Sequence, residues 1–179
     1  MAKVFYMNFE KDHKGALDKV GGLPTHTPPY FPISPCTGKE LGFLFQIYCG
    51  EKLPLQDALC IQVYQSIDID SGDDGEPVIV KVPLDAPLND GNKGVIHPEI
   101  RNYDISWEEG TEPDFLPETM EYSSENMKMM QSKLGGAVPT DFNEGRFLGW
   151  VSEYPVDFNF GGLLCILLKD DGELELIIT

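Results

Sequence analysis

The feature that most constrains this chain is a phrase it uses twice. Lys19-Val20-Gly21-Gly22 returns as Lys133-Leu134-Gly135-Gly136, and a proline follows each, Pro24 and Pro139. Leu41-Gly42-Phe43 returns as Leu148-Gly149-Trp150, and Leu59-Cys60-Ile61 as Leu164-Cys165-Ile166. The order is kept, and the separation falls from 114 residues to 107 and then 105. Loop shortening in a second copy produces that drift. A single copy is a turn, a long loop and two or three strands, a small sheet with an uncovered face. Two copies can bury those faces together.

The segments between the repeated phrases read as strands. Leu41–Tyr48, Ala58–Tyr64 and Val78–Val82 are short, aromatic and β-branched, with turn residues between them. Three such runs in succession predict an antiparallel meander. Near the C-terminus, Gly162–Leu168 and Leu174–Ile178 flank Asp171-Gly172, a hairpin signal. Four prolines between Pro28 and Pro35 make that stretch extended loop. Lys11–Lys19 has room for one or two helical turns. Met120–Leu134 is the best longer helix, since Met127, Met130 and Leu134 keep helical spacing and Ser123 or Ser124 offers a cap. The expected fold is therefore α+β, dominated by antiparallel sheet. Two duplicated halves, about 19–82 and 133–178, flank an acidic segment of about 83–127 and pack as one domain of 1–179.

Charge narrows the partners. The 179 residues hold 13 Lys and Arg against 30 Asp and Glu, a formal charge of −17. Such a chain repels phosphate backbones, which argues against nucleic acid and for a basic partner. No apolar run reaches the ~20 residues of a membrane span. The N-terminal stretch is interrupted by Asn8, Glu10 and Lys11 and lacks the apolar core of a secretion signal, so a cytoplasmic location is expected. Cys36, Cys49, Cys60 and Cys165 form no C-x-x-C pair, and three of them lie in or beside apolar segments. They read as reduced core cysteines.

The repeated phrase, the proline-rich loop, Gly38-Lys39-Glu40-Leu41 and Phe43-Leu44-Phe45-Gln46-Ile47 together resemble the YwqG family, also called domain of unknown function 1963. Gln46-Ile47-Tyr48 is also similar to the end of a phrase in the eukaryotic programmed cell death 2 proteins, a more distant group. Those proteins often carry paired cysteines before the strand. Here only Cys36 stands there, with Ile33 where the second would fall, so the bacterial type is the better match. The resemblance implies a sheet-dominated fold with two related halves, and binding rather than chemistry. Its eukaryotic side suggests a chaperone-like adaptor for a ribosomal protein, its bacterial side an immunity protein beside secreted toxin systems.

Motifs for chemistry are weak. Asp68–Glu76 is rich in carboxylates, but read as a calcium loop it has Gly72 and Asp73 in reversed order and Ile79 where a bidentate Glu is needed. His13, His26 and His97 are scattered. A zinc site from His26 and Cys36, or a nucleophile from Cys49 and His97, has no supporting spacing. No Gly-x-Ser-x-Gly elbow or phosphate loop is present. No catalytic residue, metal or cofactor is therefore expected.

What remains is the stretch from Asn102 to Met127, which contains no Lys or Arg. There Tyr103, Trp107, Glu108, Glu109, Glu112 and Asp114 interleave aromatics with acids, a composition suited to a basic polypeptide through ion pairs and cation–π contacts. The bland alternative is a solvated linker between the repeats. The expected function is a polypeptide-binding adaptor, chaperone-like or immunity-like. The alternative from another class is an enzyme using the groove between the repeats.

Overall fold

The computed structural model describes residues 1–12, 14–68, 75–117, 123–140 and 145–179. Among these the fold is mostly antiparallel β, with eleven strands and one short helix. The strands are β1 (Ala2–Glu10), β2 (Lys19–Val20), β3 (Gly42–Tyr48), β4 (Cys60–Gln65), β5 (Val78–Val82), β6 (Val95–Ile96), β7 (Tyr103–Glu112), β8 (Lys133–Gly135), β9 (Arg146–Ser152), β10 (Leu163–Leu168) and β11 (Leu174–Ile178); helix α1 is Ser124–Met129. The chain divides into two compact units. In order of sequence they are an inner unit, Phe9–Ile105, and an outer unit, Met1–Asn8 with Ser106–Thr179.

In the inner unit the ladder runs from the start of β7 to β2, β3, β4 and β5, all antiparallel, and β6 adds in parallel to β3. The expected meander β3-β4-β5 is present. Every residue of β4 is buried, and all of β3 except Tyr48, so both faces of these strands are covered. That is why they read as continuous apolar runs instead of alternating ones. Polar groups inside them then need partners. Gln46 and Gln62 are opposite residues of β3 and β4, and neither is exposed. Gln46 Nε2 donates to the Leu17 carbonyl (2.6 Å) and Thr25 Oγ1 (2.7 Å), and its Oε1 accepts the Thr25 N–H (2.9 Å). Gln62 Nε2 donates to the His26 carbonyl (2.9 Å), and its Oε1 accepts from the Tyr64 hydroxyl (2.7 Å). The Gly-Gly loop is thus fastened to the sheet by side chains.

In the outer unit the ladder runs β1-β8-β9-β10-β11, again antiparallel. The expected terminal hairpin is present, with Gly172 in the left-handed region at φ 85° and the Lys169 N–H donating to the Glu173 carbonyl. Leu164, Cys165 and Ile166 are fully buried between β9 and β11, as Cys60 and Ile61 are between β3 and β5.

Three expectations need correction. The helix foreseen over Met120–Leu134 occupies only Ser124–Met129, capped by Ser123, whose Oγ accepts the Asn126 N–H (3.1 Å). Lys133–Gly135 is strand, because pairing with β1 on one side and β9 on the other outweighs helical spacing. Met120, Glu121 and Tyr122 lie outside the described residues, as does most of the carboxylate-rich turn, 69–74. Lys11–Lys19 forms no helix among its described residues, and Ala2–Glu10 is a nine-residue strand.

The acidic stretch also takes a form the sequence reading did not offer. Its first third is a ten-residue strand, β7. Tyr, Ile, Trp and Thr suit a pleated surface; Glu108 and Glu109 face solvent, while Asp104 and Glu112 are buried, Asp104 accepting the Lys14 N–H and Glu112 pairing with Lys133.

Candidate binding site

The outer unit contains a buried ion pair with a pocket beside it. Lys133 lies in the ladder between Tyr6 of β1 and Trp150 of β9. Its ammonium sits 4.2 Å from the Trp150 ring centroid and 2.5 Å from Glu112 Oε2. Lys133 is 0% exposed and Glu112 2%. Glu112 Oε2 also accepts the Ala137 N–H (2.7 Å), and Oε1 accepts from the Tyr6 hydroxyl (2.7 Å). The carboxylate therefore has three donors, which is what makes its burial tolerable. Burial pushes the Lys133 ammonium below its usual range, and the hydrogen bond to Glu112 opposes that shift. Tyr6 is pushed above its usual range, first by burial and then by its bond to Glu112, with Glu108 and Glu125 adding charge.

Local sequence makes this arrangement possible. Gly135 and Gly136 both hold positive φ, 69° and 79°. A Cβ on Gly136 would run into Glu112 Oε2, so the second glycine is the space the carboxylate occupies.

A half-open pocket of about 240 Å³ adjoins this pair, lined by residues 110–113 of the strand end together with Tyr6, Glu125, Lys128 and Met129. Period two along β7 places Glu108, Gly110 and Glu112 on the face toward Tyr6, and Trp107 and Glu109 on the other. The contacts agree. Glu108 Oε1 accepts from Lys128 Nζ (2.6 Å), and that ammonium lies 4.8 Å from the Tyr6 ring centroid. On the opposite face Glu109 pairs with Lys3 (3.0 Å), whose ammonium lies 4.9 Å from the Phe5 ring.

The six residues singled out from sequence therefore separate. Tyr103 is 7% exposed and belongs to the inner unit, where its ring meets Phe9 edge-on at 6.4 Å. Glu112 is buried and neutralised by Lys133. Trp107 is half-buried, while Glu108, Glu109 and Asp114 are exposed. Asp114 pairs with the N-terminal amine (2.9 Å). Sequence reasoning missed Tyr6, Lys128 and Met129, and had Glu125 only as one acid of the stretch. Glu125 and Lys128 were legible as residues three apart on one short helix, but nothing local tied them to Tyr6.

Of the residues weighed for chemistry, His26 and His97 are hydrogen-bonded within the fold. His97 is buried, with Nε2 donating to the Ser66 carbonyl (3.3 Å) and Nδ1 accepting the Glu99 N–H (3.4 Å). His26 Nδ1 shares a hydrogen bond of 2.5 Å with the Tyr48 hydroxyl. No group of three His, Cys, Asp or Glu side chains suited to a metal exists among the described residues. Cys60 and Cys165 are buried, Cys49 half-buried and Cys36 exposed, all free. No helix is long and apolar enough to cross a membrane among the described residues. No family model and no curated protein matches the chain.

Proposed function

We propose that this protein is a binding module for a basic polypeptide, and that the contact is the Glu108 face of β7 with its pocket. One observation carries the reading: Glu125 lines the half-open pocket with Tyr6, and Glu108 reaches the same place through Lys128, while the third carboxylate there, Glu112, is already neutralised by Lys133. Glu108 and Glu125 share a single lysine there, Lys128, and the excess negative charge next to an aromatic face is suited to an ammonium or guanidinium group. Met129 lines the pocket, and Met127, 52% exposed, and Met130, 37% exposed, lie on and just after the same helix as adaptable apolar surface. The reading fits the net charge of −17 and the binding roles implied by the resemblance to the YwqG family. It narrows the expected contact to one face, leaving Trp107 and Glu109 on the other.

We also read the two units as copies of one ancestral half. Their ladders have the same order, β7-β2-β3-β4-β5 against β1-β8-β9-β10-β11. Gly21 and Gly135, the first glycine of each repeated phrase, both have positive φ, and a Cβ on either would strike the carbonyl of the flanking strand segment, Arg101 at 2.6 Å and Lys3 at 2.5 Å.

The binding test uses a fluorescent oligolysine peptide against the full chain, with oligoglutamate as control. Saturable oligolysine binding, weakened at higher salt and by Glu108→Gln with Glu125→Gln, is expected, whereas Trp107→Ala with Glu109→Gln leaves it unchanged. Absence of saturable binding overturns the function. Sensitivity confined to the Trp107 pair overturns the choice of face.

A further inference from the structure

The position that a partner's lysine would take in this site is already held by a lysine of the chain itself. Lys128 Nζ is 2.6 Å from Glu108 Oε1 and 4.8 Å from the Tyr6 ring centroid. Lys128 is also the first basic residue after a stretch of 26 that has none, Asn102 to Met127. Resting on the reading above, we propose that α1 is an intramolecular competitor, whose Lys128 occupies the cation position until a basic partner displaces it.

The lysine is placed for displacement. Lys128 and Glu108 are 43% and 54% exposed as side chains, and a pair so placed in water is held weakly. The side chain of Lys128 can swing out while α1 stays docked through Met129, its one buried side chain. Glu125 and Met129, which line the pocket with Lys128, then remain to meet the partner. Such a contact costs the incoming partner only a modest fraction of its affinity, but it selects against single amines, which cannot replace Lys128 and also cover the apolar surface of α1.

The experiment measures oligolysine affinity for four proteins: the unaltered chain, Lys128→Gln, Glu108→Gln and Lys169→Gln. Lys169 is exposed in the turn between β10 and β11, and its variant removes the same charge without touching the site. Lys128→Gln should bind about three- to tenfold more tightly than the unaltered chain, the size of one exposed ion pair and one cation–π contact. Lys169→Gln should change affinity by less than about twofold, as one screened charge does. If Lys128→Gln and Lys169→Gln tighten binding equally, net charge explains the gain and the inference fails. If Lys128→Gln weakens binding while Glu108→Gln weakens it too, Lys128 merely fixes α1; the competitor is refuted and the binding site stands. If no variant binds saturably, the functional reading itself is overturned and the inference with it.

Discussion

Gln46 on β3 and Gln62 on β4 stand directly opposite one another, and between them they fasten the loop from Leu17 to His26 with four hydrogen bonds. Gln46, a polar residue inside an apolar strand, is thus a clamp. Gln46→Leu removes the partners of the Thr25 N–H and the Leu17 carbonyl. Each polar group left unsatisfied costs about 1–3 kcal/mol, so urea unfolding should show a loss of roughly 3 kcal/mol. An unchanged midpoint would mean that water replaces the clamp without penalty.

The Lys133–Glu112 pair should behave as a unit. Lys133→Met leaves Glu112 buried with two donors and no counter-charge, and a loss of about 3–5 kcal/mol is expected. Glu112→Leu alone should be comparably harmful. The double variant should cost clearly less than the sum of the two, and a double-mutant cycle on unfolding free energies measures the difference. Additive losses would contradict the coupling.

Acid sensitivity should involve His97. Burial holds its pKa below the ordinary value, partly opposed by its bond to the Ser66 carbonyl. The unfolded chain therefore takes up this proton near pH 6.5 while the folded chain does not. Stability is fully present above that pH and falls as the pH drops below it, until the folded pKa is reached. The slope for one group is at most about 1.4 kcal/mol per pH unit. His97→Gln should flatten the stability profile just below pH 6.5, and an unaltered slope would show that other groups set it.

Thiol labelling should rank by burial. Cys36 is exposed and should react first in the folded protein. Burial pushes Cys49 and Cys165 up to about 11 and Cys60 up to about 12, so little thiolate exists at pH 8. Cys49, half-buried, should follow slowly, and Cys60 and Cys165 only as the chain unfolds. Mass spectrometry of alkylated peptides over time gives the order directly.

Local patterns carried much of this fold. β3, β4, β5, β10 and β11 are short apolar runs bounded by turns, and the hairpin at Asp171-Gly172 follows from its residues alone. β1 and β7 are less legible because polar residues break their apolar pattern, Lys3, Asn8 and Glu10 in β1 and Asp104, Glu108, Glu109 and Glu112 in β7. β8 was lost to a competing period, since Met127, Met130 and Leu134 fit a helix that ends before Leu134. The site was less legible still. Tyr6 and Glu112 are 106 residues apart, and Lys133 is 21 from Glu112. Only the ladder shows that one acid of the stretch is a buried counter-ion and its neighbours are not.

The repeated Lys-x-Gly-Gly has one spelling and two tenants. After the first glycine the copies diverge: Gly22 faces nothing nearer than Asn102 Oδ1 at 3.6 Å, whereas Gly136 yields its space to the Glu112 carboxylate. An alanine at position 22 would face only the strain of a positive φ, while one at 136 would also evict a charge. The second glycine thus leaves slack in one unit and holds up a buried charge in the other, so a change at Lys133, Glu112 or Gly136 bears on the remaining two.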